Sequence, residues 1–145
     1  MDVVEHMTTG ATPEELFELI SDLSTYPDWL GLVARVDPDI DGGPEDAWMV
    51  ELRAQLGPLA RSKRLRMVRA AVDPTRSVTF ERRETDGRDH SYWVLHASIE
   101  PNEQGSTLSV RLHYGGRLFG PVLELALRDE IRKARANLAD RYPIA

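Results

Sequence analysis

The feature that most constrains this chain is its longest amphipathic stretch, Gly120 to Arg141, near the C-terminal end. Pro121 stands where a first helical residue would, a position that tolerates its missing N–H. Beyond it Val122, Leu123, Ala126, Leu127, Ile131, Ala134 and Leu138 recur at steps of three and four. Glu124, Arg128, Asp129, Arg132, Lys133 and Arg135 take the other faces. That spacing predicts a helix of roughly 20 residues, about 30 Å long. Its apolar stripe needs a cover, and the preceding chain consists mostly of short strand patterns. A curved antiparallel sheet wrapped on the one long helix is the predicted cover, an arrangement that can leave a cavity between the two.

From the start, Val3 to Thr9 predicts a first strand, although its alternation is poor. Thr12-Pro13-Glu14-Glu15 then carries three helix-start signals: an N-cap, a first-turn proline and a capping-box glutamate. Leu16, Phe17, Leu19, Ile20 and Leu23 give this helix an apolar face. Pro27 bars its continuation, so Tyr26-Pro27-Asp28-Trp29-Leu30 predicts a second short turn of helix. Leu32 to Val36 is the second strand, followed by an acidic loop, Asp37 to Asp46. From Ala47 the period is two, with Trp48, Val50, Leu52, Ala54 and Leu56 on the buried face. Gly57-Pro58 turns the chain into a fourth strand, Arg61 to Val72. Asp73-Pro74 turns it into a fifth, Ser77 to Arg83, where Val78, Phe80 and Arg82 share a face. Asp86-Gly87 signals a hairpin. His90 to Glu100 places Trp93, Leu95, Ala97 and Ile99 on one side, and Thr107 to Tyr114 does the same with Leu108, Val110, Leu112 and Tyr114. The predicted order is one strand, two helices, six strands and the long helix, forming one domain over residues 1–145.

Composition removes several function classes. A net charge of −6 argues against a general nucleic-acid binder, whose affinity rests on neutralising phosphates. The absence of cysteine removes disulfides, thiolate metal sites and a cysteine nucleophile, and suits a reducing cytoplasm, the expected location. Met1-Asp2-Val3-Val4-Glu5-His6 has no signal-peptide pattern, and no apolar run approaches the ~20 residues of a membrane span. A homodimer is compatible with all of this.

Local patterns with chemical potential mostly fail their own tests. Asp37-Pro38-Asp39-Ile40-Asp41-Gly42 imitates the start of a calcium loop, but Trp48 stands where the bidentate glutamate belongs. Gly115-Gly116-Arg117-Leu118-Phe119-Gly120-Pro121-Val122 has P-loop glycine spacing, with Pro121 and Val122 replacing the lysine and hydroxyl. His6, His90, His96 and His113 have no metal-ligand spacing, so no metal and no cofactor are expected. No nucleophile-elbow pattern supports a Ser-His-Asp triad. Arg61, Lys63, Arg64, Arg66 and Arg69 form a basic strip. It is either a patch that greets an anionic ligand or an acidic carrier protein, or a solvated strand face, the commoner origin of charge runs.

Three segments carry a family resemblance. Ala11-Thr12-Pro13-Glu14-Glu15-Leu16-Phe17-Glu18-Leu19-Ile20-Ser21-Asp22, continuing into Tyr26-Pro27-Asp28-Trp29, resembles the helix and Tyr-Pro-x-Trp element of the START-like or birch-pollen-allergen superfamily (SRPBCC), in its polyketide cyclase/dehydrase-like branch. Gly105-Ser106-Thr107-Leu108-Ser109-Val110 resembles the turn and strand before that branch's last helix, and Gly120-Pro121 resembles its opening. The resemblance implies an α+β helix-grip fold, a sheet of about seven strands curled around the C-terminal helix over an internal cavity. It also implies a hydrophobic, lipid- or polyketide-like small molecule as ligand, with cyclisation or dehydration in a minority of members. The branch has no universal catalytic motif, so the resemblance assigns no catalytic residue.

In such a fold the inward faces line the cavity. The expected lining is Trp48, Val50, Leu52, Phe80, Trp93, Leu95, Leu112 and Tyr114 from the sheet and Leu123, Leu127 and Ile131 from the helix, with Trp29 near the mouth. The same aromatic rings in a filled core simply pack. Arg82 is the outlier, a cation continuing the Val78 and Phe80 face, where it is expensive unless paired or at a solvated strand end. Pointing inward, it would hold a carboxylate, enolate or phenolate with Tyr114 as second donor, stabilising charge on oxygen during an aldol-type cyclisation. Three functions follow: a binder of an apolar small molecule, a cofactor-independent cyclase, dehydrase or aromatase, and a protein-interaction module with a filled interior.

Overall fold

The structure is a computed structural model that describes residues 1–40, 45–116 and 120–145. Strand β1 (Asp2–Thr9) is followed by helix α1 (Pro13–Ile20) and a 3₁₀ helix (Leu23–Asp28). Then come β2 (Val33–Pro38), β3 (Ala47–Leu56), β4 (Leu59–Asp73), β5 (Ser77–Arg82), β6 (Trp93–Asn102), β7 (Gly105–Tyr114) and α2 (Gly120–Arg141). The strands form one seven-stranded antiparallel sheet in the order β1-β7-β6-β5-β4-β3-β2. Every neighbouring pair except β1–β7 is consecutive in the chain, and α1 with the 3₁₀ helix carries it from one sheet edge to the other. This is the helix-grip arrangement, with the sheet curled around α2.

The first helix starts as its residues dictate. The Thr12 hydroxyl accepts from the Glu15 N–H at 3.1 Å while the Glu15 carboxylate accepts from the Thr12 N–H at 3.2 Å, which satisfies two orphan donors. The helix has no basic residue in its last turn. Arg69 of β4 supplies one instead, donating from Nη1 to the Ser21 carbonyl at 2.7 Å, at the end where a cation complements the dipole. Tyr26 ties the 3₁₀ helix back by donating to the Ile20 carbonyl at 2.7 Å. Burial, helped by the charge of Asp22, pushes its phenol pKa up, so it stays a donor. Gly57 turns β3 into β4 with φ of 62°, the left-handed first position of a two-residue hairpin.

The sheet buries one face, but β1 does so through an unexpected residue. Its burial alternates strictly, with Val3, Glu5, Met7 and Thr9 inward. The Glu5 side chain is only 9% exposed and accepts from Arg135 Nη2 at 2.9 Å. Arg132 Nη2 lies 3.5 Å and Arg128 Nη1 4.0 Å from its other oxygen. Those arginines stand four and three residues apart, on one side of α2. The poor alternation of Val3 to Thr9 is therefore an ion-pairing position, since a buried carboxylate is tolerated only with partners.

On α2 the buried residues are Leu127, Ile131, Ala134 and Leu138, and Leu123 and Ala126 pack half-buried beside them. Val122, expected in the stripe, is exposed. At about 100° per residue it lies roughly 140° around the helix from Leu127. The C-terminal end is tied down by Asn137 Nδ2 donating to the Trp29 carbonyl at 3.0 Å and by the Gly10 N–H donating to the Tyr142 carbonyl at 2.9 Å. Strand limits shift slightly from the sequence pattern. β4 begins at Leu59 because the hairpin is tight, and β6 begins at Trp93 because His90 turns back to pair with Asp86 at 2.8 Å.

The Glu5 cluster generates a prediction. Glu5→Gln removes the charge but keeps the volume, and should lower unfolding free energy by about 1–2 kcal/mol at low salt. Arg135→Gln should lower it less, because Arg132 and Arg128 remain. Urea titrations of the two variants at low and high ionic strength measure both effects.

Candidate functional site

A mostly apolar cavity lies between the first half of α2 and the sheet, at the β3–β4 hairpin end. It is open to solvent on one side and holds about 400 Å³, within the range of small-molecule sites. Leu32, Leu52, Ala54 and Leu56 form one wall, Trp93 and Tyr114 the floor, and Leu123 and Leu127 the helical roof. Arg53, Arg61, Ser62 and Lys63 complete it. Arg61 and Lys63 are exposed whereas Trp93 and Leu127 are buried, so the cavity opens beside the hairpin. Behind it, sharing Leu32, Leu52 and Trp93, lies a void of about 30 Å³, on the scale of a water molecule.

The expected lining residues divide into groups. Leu52, Trp93, Tyr114, Leu123 and Leu127 stand on the cavity wall. Val50, Leu95 and Leu112 line the small void behind it. Trp29, Trp48 and Phe80 pack with Tyr26 into an aromatic block with ring centroids 4.7 to 5.9 Å apart, and Ile131 is fully buried. Trp29, only 1% exposed, closes this filled end and does not reach the mouth. The interior is thus packed at one end and hollow at the other. Ala54, Leu56, Arg61 and Lys63 are cavity residues that the sequence reading had not assigned to the site. Their signal was parity, since 61 and 63 fall in step with Leu65 and Met67.

Arg82 takes neither of its two expected positions fully. It continues the Phe80 face, but β5 ends there and its side chain, 7% exposed, lies 3.4 Å from the Glu84 carboxylate. Its Nη1 approaches the Ser91 hydroxyl at 3.3 Å. The pocket it lines is a separate polar one, shared with Arg88, Asp89 and His90. Tyr114 lines the apolar cavity instead, so the two candidate donors do not share a site. The Tyr114 ring lies against Trp93 at 4.6 Å between centroids. A Cβ on Gly116 would lie 1.8 Å from the Tyr114 hydroxyl oxygen, so glycine is required for this ring to lie where it does. The indole N–H groups of Trp29 and Trp93 are buried without a partner among the described residues.

The remaining motifs resolve into ion pairs. The acidic loop supplies partners to arginines: Asp37 to Arg35 at 2.9 Å, Asp39 to Arg66 at 2.7 Å, Glu45 to Arg83 at 3.3 Å, and Asp46 to Arg69. Asp41 and Gly42 of the calcium-like pattern lie outside the described residues, as do Arg117 to Phe119 of the glycine-spaced loop. Among the described residues no His, Asp and Glu cluster could hold a metal ion. The histidines pair locally on the outer face, His6 with Ser109 at 2.7 Å and His96 with Thr79 at 2.8 Å. The basic strip is not one surface. Arg66 is buried, Arg69 turns inward beneath α1 and over the Trp48 ring, and only Arg61 and Lys63 reach the cavity.

Two predictions separate these roles. Arg82→Ala should leave affinity for a cavity ligand within about twofold of wild type and lower stability by roughly 1–3 kcal/mol, the cost of loosening a buried pair. Ligand titration and denaturation of one variant read both. Gly116→Ala should lower stability by about 1–3 kcal/mol through overpacking against Tyr114. Adding Tyr114→Leu should recover part of that loss, a coupling that a double-mutant cycle measures.

Comparison with known proteins places this geometry. No curated protein matches the chain in sequence. Among solved structures, a START superfamily protein from Mycobacterium smegmatis is similar at 16% identity, with 97% of this chain and 96% of that chain covered and a TM-score of 0.69. The di-domain ARO/CYC BexL of the BE-7585A biosynthetic pathway is similar at 14% identity, covering 100% of this chain and 50% of that chain, with a TM-score of 0.68. The di-domain ARO/CYC StfQ of the steffimycin pathway is similar at 14%, covering 97% and 51%, with a TM-score of 0.63. At such identities the likeness is one of fold. The family itself is shown by its sequence model: the model for polyketide cyclase/dehydrase and lipid transport proteins matches residues 1–143, and the chain belongs to that family.

Proposed function

We propose that this protein binds a largely apolar small molecule, lipid- or polyketide-like, in the cavity between α2 and the hairpin end of the sheet. The observation that carries this reading is the hollow itself. Leu52, Leu56, Leu123 and Leu127 face about 400 Å³ of space in a molecule whose other end is filled by close aromatic packing. A fold that needed only a core would close that space, since every unfilled volume forfeits dispersion contacts. Membership in a family of cyclases, dehydrases and lipid-transport proteins is consistent with such a ligand. Binding is favoured over turnover because Arg82, the candidate partner of Tyr114, is engaged by Glu84 and Ser91 in another pocket.

The test uses 1-decanol as an apolar probe, followed by tryptophan fluorescence because Trp93 floors the cavity. Wild-type protein should bind it saturably with one site. Ala54→Phe, which puts a ring into the hollow from β3, should weaken binding by at least about tenfold. Its circular dichroism should stay native. Saturable binding that Ala54→Phe leaves unchanged would locate the probe elsewhere and remove the proposal.

A further inference from the structure

Three cations line the cavity mouth; Arg53 belongs to the outward set of β3, whereas Arg61 and Lys63 stand at positions where the strand pattern calls for apolar residues. In the β3–β4 ladder Leu52 pairs with Lys63 and Ala54 with Arg61. Directly opposed residues share a face, so both cations lie on the inward side, in step with Leu65 and Met67. Both line the cavity. A charged solvent face accounts for Arg64, which has outward parity, but not for Arg61 and Lys63. Among the described residues neither has a carboxylate within 4.0 Å, whereas Arg66 and Arg69 further along β4 are paired with Asp39 and Asp46. In a chain with 24 acidic and 18 basic residues, two adjacent inward cations without a carboxylate set a positive potential over an apolar hollow. Their aliphatic stems can extend the wall while the charged heads stay at its rim.

We infer that the cavity takes an amphipathic anion. Its apolar body lies against Leu52, Leu56, Leu123 and Leu127, and its carboxylate or phosphate headgroup sits between Arg61 and Lys63. This inference rests on the ligand-binding reading above and names the chemical class of the ligand.

The experiment compares sodium decanoate, decyl phosphate and 1-decanol at neutral pH and low ionic strength. The proteins are wild type, the double variant Arg61→Gln/Lys63→Gln, and Arg64→Gln. Wild type should bind decanoate or decyl phosphate about tenfold more tightly than decanol, and added salt should erode that advantage. The double variant should lose most of the preference for either anion over decanol. Arg64→Gln, on the outward side of the same strand, should behave as wild type. The tighter of the two anions identifies the headgroup. Equal binding of acid and alcohol by wild type would overturn the inference while leaving the cavity reading intact. Failure of all three probes to bind would remove both. An anion preference that Arg64→Gln abolishes as fully as the double variant would also overturn it, by showing a diffuse field in place of a rim site.

Discussion

The structure depends on how α2 is held against the sheet, and it is held unevenly. Its C-terminal half buries Ile131, Ala134 and Leu138 and is tied to Trp29 and Gly10 by the bonds from Asn137 and to Tyr142. Burial of each large apolar side chain contributes about 1.5–3 kcal/mol, so this half alone carries substantial stability. The Glu5 cluster then fixes the helix to edge strand β1 through Arg135, Arg132 and Arg128. With the helix anchored by its far half and by one edge, its first half can span a gap without the fold losing its grip. The cavity follows from that uneven anchoring.

The division of the interior follows the same logic. Tyr26, Trp29, Trp48 and Phe80 fill the end where the 3₁₀ helix covers the sheet. At the opposite end the β3–β4 hairpin and the first turns of α2 are bridged by leucines that meet empty space. A ligand there would touch mostly aliphatic surface, with Trp93 and Tyr114 beneath it and the cations Arg61 and Lys63 among those at its exit. Such a site can select for shape and for one charged end.

Much of this was legible in the sequence because the relevant signals are periodic. The capping box at Thr12, the period-two faces of β3, β6 and β7 and the stripe of α2 each name their own element. Residues whose roles come from tertiary pairing were not legible in that way. Glu5 resembled a break in a strand because its three partners are more than 120 residues away in the chain. Arg66 and Arg69 looked like solvated charge, yet Arg66 is buried on the outer face by Asp39 and Arg83, and Arg69 shares the inward face of Phe80 and pairs with Asp46. Trp29 was expected near the mouth, but no local pattern tells which end of a barrel-like core will close. Arg61 and Lys63 could have been picked out by parity alone, because both fall in step with Leu65 and Met67.

The proposed ligand site is the hollow at the hairpin end. Methyl-resolved NMR with assigned leucine, isoleucine and valine groups tests it most directly, with decanoate as the titrant. Saturating shifts are expected at Leu52, Leu56, Leu123 and Leu127, with little change at Leu16, Ile20 and Leu138 in the packed end. Shifts confined to exposed methyls such as Leu59 and Leu125, or absent at the cavity leucines at saturating decanoate, would contradict it.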